Sequence, residues 1–150
     1  MATATEPSSN ATRIKEEIEK YEIQQGVAIS SLIAKLINYV CSKLQETFNA
    51  PLESVLEFLN QNPDLLDFSI LDEHINKLNM PMKIAINTLI RSVGAVIKAK
   101  EHWKRELIEN GTTYILEVLK HYNPNLYNLL KDKQNILNFI KSYIIYKLGI

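Results

Sequence analysis

Apolar side chains recur every three or four positions along most of this chain, with polar residues between them. That is the period of helices that each lay one face on a core. Ile29, Ile33, Leu36, Ile37, Val40, Leu44 and Phe48 predict a long helix over 27–48, flanked by Leu32 and Tyr39. Pro51 opens a short helix carrying Leu52, Val55, Leu56 and Leu59, and Asn62-Pro63-Asp64 marks a turn. Ser69-Ile70-Leu71-Asp72 reads as a capping pattern, with aspartate where glutamate is usual, opening a helix with Leu71, Ile75 and Leu78 that ends near Asn79.

Residues 82–109 then predict one long helix whose first half, 82–97, is the most apolar stretch and whose second half, 98–109, is amphipathic, with Trp103 and Leu107 among seven charges. Met82, Ile86, Leu89, Ile90, Val93, Val96 and Ile97 recur at helical spacing, and Ile84 and Ala85 widen the arc, with only Lys83 and Arg91 charged before residue 98. A helix apolar around most of its girth is predicted to be buried. Pro81 suits its first turn, and Asn110-Gly111 reads as a left-handed stop. A short helix over 113–122 ends at Asn123-Pro124-Asn125. The last runs over 126–148 with a break near Asp132, its stripe being Leu126, Leu130, Leu137, Ile140, Ile144 and Leu148. Upstream, Asn10 caps a first helix over 11–24, with Ile14, Ile18 and Tyr21 on one face. The same spacing crosses Gly26 to Ala28 and Leu32, so continuity there is open.

No stretch alternates with period two, and no fixed-period repeat occurs. The expectation is an all-α globular bundle of six to seven helices around a central hydrophobic helix at about 82–109. It is one domain over 10–150, preceded by a flexible polar tail over 1–9. With 150 residues and 46% apolar composition the chain can bury a core without metals or disulfides. The net charge is zero, which removes the generic electrostatic case for nucleic acid. Cys41 is the single cysteine, and no basic start leads into an apolar run, so an intracellular location (cytoplasmic or nuclear) is expected. The core stretch falls short of the roughly 20 apolar residues of a spanning helix, so no membrane span is expected. Abundant Ile, Asn, Lys and Tyr point to an AT-rich source genome.

Candidate chemistry is sparse. Glu117 and His121 stand at ligand spacing, but nothing else completes a metal motif, and an ion pair at a helix end explains them. Cys41 lies among Tyr39, Val40 and Leu44 and reads as a small buried hydrophobe; as a nucleophile it would need His74 or His102 beside it in space. Asp64 and Asp67 are one turn apart and read as helix-start acids. The four glycines are scattered, so no phosphate loop exists, and Gly94 in the core helix reads as a close helix crossing. No cofactor, metal or catalytic residue is expected.

The reading that remains is a non-catalytic helical protein that binds a protein partner or self-associates. Its expected contact residues are Trp103, Leu107, Phe139, Tyr143 and Tyr146, because aromatic anchors carry much interface energy. Short helices before a central apolar helix, then an amphipathic close, are similar in outline to a Bcl-2-like domain. That resemblance is architectural and implies a groove for a partner's amphipathic helix. The Asn-Trp-Gly-Arg motif of that family is absent, since Trp103 stands in Glu101-His102-Trp103-Lys104. One alternative is a nucleic-acid-associated or virion structural protein using a basic face of Lys98, Lys100, Lys104 and Arg105; interleaved glutamates and neutral charge weigh against it. The other is an enzyme whose site only the fold assembles.

Overall fold

The computed structural model describes residues 29–99 and 101–150, apart from the side chains of Ile29, His102, Trp103 and Glu106. The expected tail, the helix over 11–24 and the question of continuity across Gly26 lie outside the described residues. Among the described residues the chain forms seven α-helices and no strand, the expected all-α bundle. They are α1 (Ile29–Phe48), α2 (Leu52–Gln61), α3 (Phe68–Lys77), α4 (Met80–Lys98), α5 (Glu101–Tyr122), α6 (Pro124–Leu130) and α7 (Gln134–Leu148), with a 3-10 turn at Pro63–Leu65.

The axis of the bundle is α1. It packs on α2, α3, α4, α5 and α7. Its predicted stripe is the one that disappears from solvent: Ile33, Leu36, Ile37, Val40 and Leu44 are all buried. Each such side chain contributes roughly 1.5–3 kcal/mol relative to exposure. Opposite it, α7 buries Ile136, Leu137, Ile140, Tyr143, Ile144 and Leu148. Between α1 and α5, the buried Ser30 and Tyr114 hydroxyls share a hydrogen bond of 3.4 Å.

The helix expected at 82–109 is not one element, and it is not the centre. It divides into α4 and α5 between Lys98 and Glu101. Within α4 the buried residues, Ile90, Val93, Gly94 and Ile97, all fall in the second half. In the first half Met80, Met82 and Ile84 are 65%, 50% and 55% exposed. The physical reason is that an apolar arc says which residues can be buried but supplies no neighbour to bury them. By length and composition α4 is, among the described residues, the one helix long and apolar enough to cross a membrane; 22% of its apolar window is buried in the bundle.

The helix does break at Asn110, whose φ of −123° and ψ of 22° are non-helical, so α5 is two helical segments joined across a kink; the left-handed stop expected at Asn110-Gly111 does not form. Gly111 is buried there because the Lys141 side chain of α7 lies across it; a Cβ on Gly111 would stand 2.6 Å from Lys141 Cγ. The Lys141 ammonium donates to the Ile108 carbonyl at 3.4 Å, next to the kink. Gly94 does mark a close crossing, since a Cβ there would meet the Leu148 carbonyl oxygen at 3.2 Å.

Caps position the shorter helices. Asp67, not Ser69, is the N-cap of α3, accepting from the Ser69 N–H at 3.0 Å. Asp72, expected as the capping acid, turns inward instead. Asn79 caps α4 through the Met82 N–H, and Pro81 sits in the first turn as its sequence position suggests. The start of α7 has no cap of its own. Asn60 of α2 supplies one from across the bundle, its Oδ1 accepting from the Asn135 N–H at 3.0 Å and the Ile136 N–H at 3.4 Å. Those first-turn donors would otherwise lack an acceptor.

Candidate partner-binding groove

The second half of α4 is anchored by Ile90, Val93 and Ile97. Its first half runs beside α1 without being buried, and a groove of about 660 Å³ opens between the two helices. Leu32 and Tyr39 of α1 and Met82, Ala85, Ile86 and Leu89 of α4 supply its apolar surface. Asn38, Ser42, Thr88 and Ser92 interrupt that surface with neutral polar groups. Lys35 and Lys43 are the charged side chains lining it among the described residues.

Lys43 is held from both sides. Its ammonium donates to Glu46 at 2.9 Å and stands 5.3 Å from the centre of the Tyr39 ring. The bond from Lys43 holds the exposed Glu46 carboxyl below the usual carboxylate range. The Tyr39 hydroxyl is buried and makes no hydrogen bond in the structure. Its burial, and the nearby Glu46 charge, push the phenol above its ordinary pKa. Tyr39 therefore stays neutral and presents ring surface to the groove.

The residues expected to form a contact surface do not lie together on one. Leu107, Phe139 and Tyr143 are core residues, 5%, 7% and 1% exposed. The side chain of Trp103 lies outside the described residues. Tyr146 alone among the other four is open, at 54%. It stacks on Phe68 with ring centres 5.2 Å apart, and Lys147 lies 5.6 Å above it. Tyr143 donates its hydroxyl proton to Asp72 at 2.9 Å, and Lys147 donates to the same oxygen at 3.1 Å. Burial and the Asp72 carboxylate push the Tyr143 phenol well above the tyrosine range. An amphipathic ring fits a boundary or a core equally well, and here the hydroxyl has found a half-buried partner in Asp72.

The basic face is also dispersed. Lys98 and Arg105 are exposed, Lys104 is half-buried and pairs with Glu101 at 3.0 Å, and Lys100 lies outside the described residues. Cys41 is 1% exposed, and burial pushes its thiol up to about 12, so almost no thiolate forms near neutrality. His74 meets the Thr47 hydroxyl at 2.7 Å, His121 packs edge-on against Tyr122, and the His102 side chain lies outside the described residues. Among the described residues no three His, Cys, Asp or Glu side chains converge in a way that could hold a metal ion.

The groove itself escapes sequence inspection. Met82, Ile86 and Leu89 read as core, and nothing in their spacing separates a helix face with a neighbour from one without. The usable signal is the pairing of lysines at 35 and 43 with an apolar flank at 32 and 39 on the helix beside it. No family model matches the chain, and neither the curated proteins nor the solved structures contain a match.

Proposed function

We propose that this chain is a non-catalytic helical interaction protein that takes an amphipathic helix of a protein partner in the groove between α1 and α4. The apolar face of that helix rests on Leu32, Ile86 and Leu89, and its acidic flank faces Lys35 and Lys43. One observation carries the reading: Met82, Ala85, Ile86 and Leu89 of α4 line an open groove beside α1, with Met82 50% exposed and Ile86 and Leu89 half-buried over the core. Exposed contiguous apolar surface rimmed by polar groups marks interaction sites in soluble domains. Helix-in-groove docking uses this geometry, with anchors one turn apart. Met82 suits such a surface because an unbranched thioether adapts to different partners.

The test is fluorescence anisotropy with a labelled peptide of about 16 residues, long enough to span ~24 Å as a helix. It carries leucines on one face and glutamates on both flanks. Binding is expected to weaken at least tenfold in Leu89→Asp, in the same peptide with lysine flanks, and on raising salt from 0.05 to 0.5 M (about 3 Å Debye length near 1 M). No binding, or equal binding by Leu89→Asp, overturns the reading. Cosedimentation with phosphatidylcholine–phosphatidylserine vesicles in place of peptide binding overturns it in favour of a lipid surface for α4.

A further inference from the structure

Charge is sorted along this neutral chain. Between Lys43 and Lys77 it carries seven carboxylates and no lysine or arginine. From Lys77 to Lys100 it carries five basic side chains and no acid. The first run covers the end of α1, then α2, the 3-10 turn and α3; the second covers α4. Little of this charge is neutralised within the molecule. Among the described residues, Lys43 takes Glu46 and Lys147 takes Asp72, while Glu53, Glu57, Asp64 and Glu73 are exposed and outside any ion pair. On the basic run Lys77, Arg91 and Lys98 are exposed, Lys83 is half-buried, and no ion pair among the described residues uses them.

Both runs also hold apolar side chains that the bundle leaves out. Of the eight large apolar side chains exposed among the described residues, Phe58 and Leu65 lie on the acidic run and Met80, Met82 and Ile84 on the basic one. Phe58 is held firmly: its ring packs on Phe48 with centres 6.5 Å apart, and the Asn62 amide donates to its carbonyl at 2.9 Å. The Asn62 carbonyl accepts from the Leu65 N–H at 3.1 Å, so one residue ties Leu65 to Phe58. Glu57 and Asp64 are their chain neighbours, and Glu53 stands one turn before Glu57. On α4, Met80, Ile84 and Arg91 follow at four- and seven-residue spacing on one face, and neither they nor Lys83 line the groove.

Two apolar centres with rims of opposite sign complement one another. A chain that carries both is complementary to a second copy of itself, and its zero net charge leaves no overall repulsion between copies. We infer that the acidic α2–α3 face docks the basic first half of α4 of a second copy, Phe58 and Leu65 against Met80 and Ile84, with the glutamates of α2 facing Lys83 and Arg91. This contact is separate from the groove and does not depend on it.

Sedimentation equilibrium on the full chain tests this. In 0.05 M salt the wild type is expected to exceed the monomer mass as its concentration rises from about 10 to about 500 µM. In 0.5 M salt the association is expected to weaken at least tenfold. Glu53→Lys/Glu57→Lys and Lys83→Glu/Arg91→Glu alter no core or capping side chain, and each pair alone is expected to weaken association at least tenfold. Mixed one to one, the two variants oppose a doubly basic chain to a doubly acidic one and are expected to associate again. That rescue cannot come from chains that fail to fold. A wild type monomeric at about 500 µM in low salt overturns the inference, as does association that neither pair weakens, or a mixture that stays monomeric. Cosedimentation of a monomeric wild type with phosphatidylcholine–phosphatidylserine vesicles, lost in Lys83→Glu/Arg91→Glu, overturns it in favour of a lipid surface. None of the four substituted residues lines the groove, so acidic-peptide binding by the same variants tests the groove separately.

Discussion

Replacing Tyr143 by phenylalanine separates a core role from a surface one. The ring is 1% exposed and phenylalanine fills the same space, so the change removes one hydroxyl and little else. That hydroxyl donates to Asp72 at 2.9 Å. A hydrogen bond to a charged group contributes about 1.5–3 kcal/mol. Asp72 keeps the Lys147 ammonium at 3.1 Å, and its side chain is 29% exposed, so water relieves part of the loss. The lower half of the range applies: a cost of about 1.5–2 kcal/mol, or roughly 3–8 °C in Tm for a chain of this size. Urea unfolding followed by far-ultraviolet circular dichroism is the assay, and the midpoint should fall with the slope unchanged. In an Asp72→Ala background the same substitution should cost almost nothing, giving a coupling of about 1.5 kcal/mol. A cost within about 0.5 kcal/mol of zero in the wild-type background would mean that the hydroxyl is in water, and would refute the buried network.

Other expected outcomes follow from the same structure. The Cys41 thiol rises from 9.0 to about 12 in the fold, so the native state keeps a proton that the unfolded chain releases between those values. Stability should therefore fall by about 1.4 kcal/mol per pH unit above pH 9, Cys41→Ala should abolish that part of the slope, and a thiol reagent at pH 8 should label the protein only in urea. Gly111→Ala should destabilise by about 1 kcal/mol despite its better helix propensity, because the new Cβ displaces Lys141; Lys141→Ala in the same chain should recover the loss in a denaturation experiment. Asp67→Ala should cost about 1 kcal/mol through its lost N-cap, whereas Asp64→Ala, exposed and capping nothing, should stay within about 0.5 kcal/mol of the wild type.

Helical period, prolines and cap residues make the class of fold and most elements legible in the amino-acid sequence itself. The stripe Ile33, Leu36, Ile37, Val40 and Leu44 is both predicted and buried, and Asn123-Pro124 starts a new helix where the pattern breaks. What stays hidden depends on contacts between distant residues. The gap between α4 and α5 carries no glycine or proline, so local chemistry does not announce it. Asn110-Gly111 breaks the helix as its chemistry suggests, but through a kink with Lys141 of α7 lying across Gly111 rather than through a left-handed cap. Asp72 has capping spacing, yet Tyr143 and Lys147, more than seventy residues away, take its carboxylate. The candidate site inverts for the same reason: Phe139 and Tyr143 carry rings that would suit a surface but have partners inside, while Met82 and Ile84 are apolar enough for the core but lack cover.

Methyl-selective nuclear magnetic resonance on the full chain tests the groove most directly. Isoleucine, leucine and methionine methyl signals would be followed while the acidic 16-residue peptide is added. Shifts are expected to concentrate at Leu32, Met82, Ile86 and Leu89, with Leu56, Leu59 and Ile140 of the core unmoved. Shifts centred instead on Ile108 and Leu65, or no change at saturating peptide, would contradict a helix-docking groove between α1 and α4.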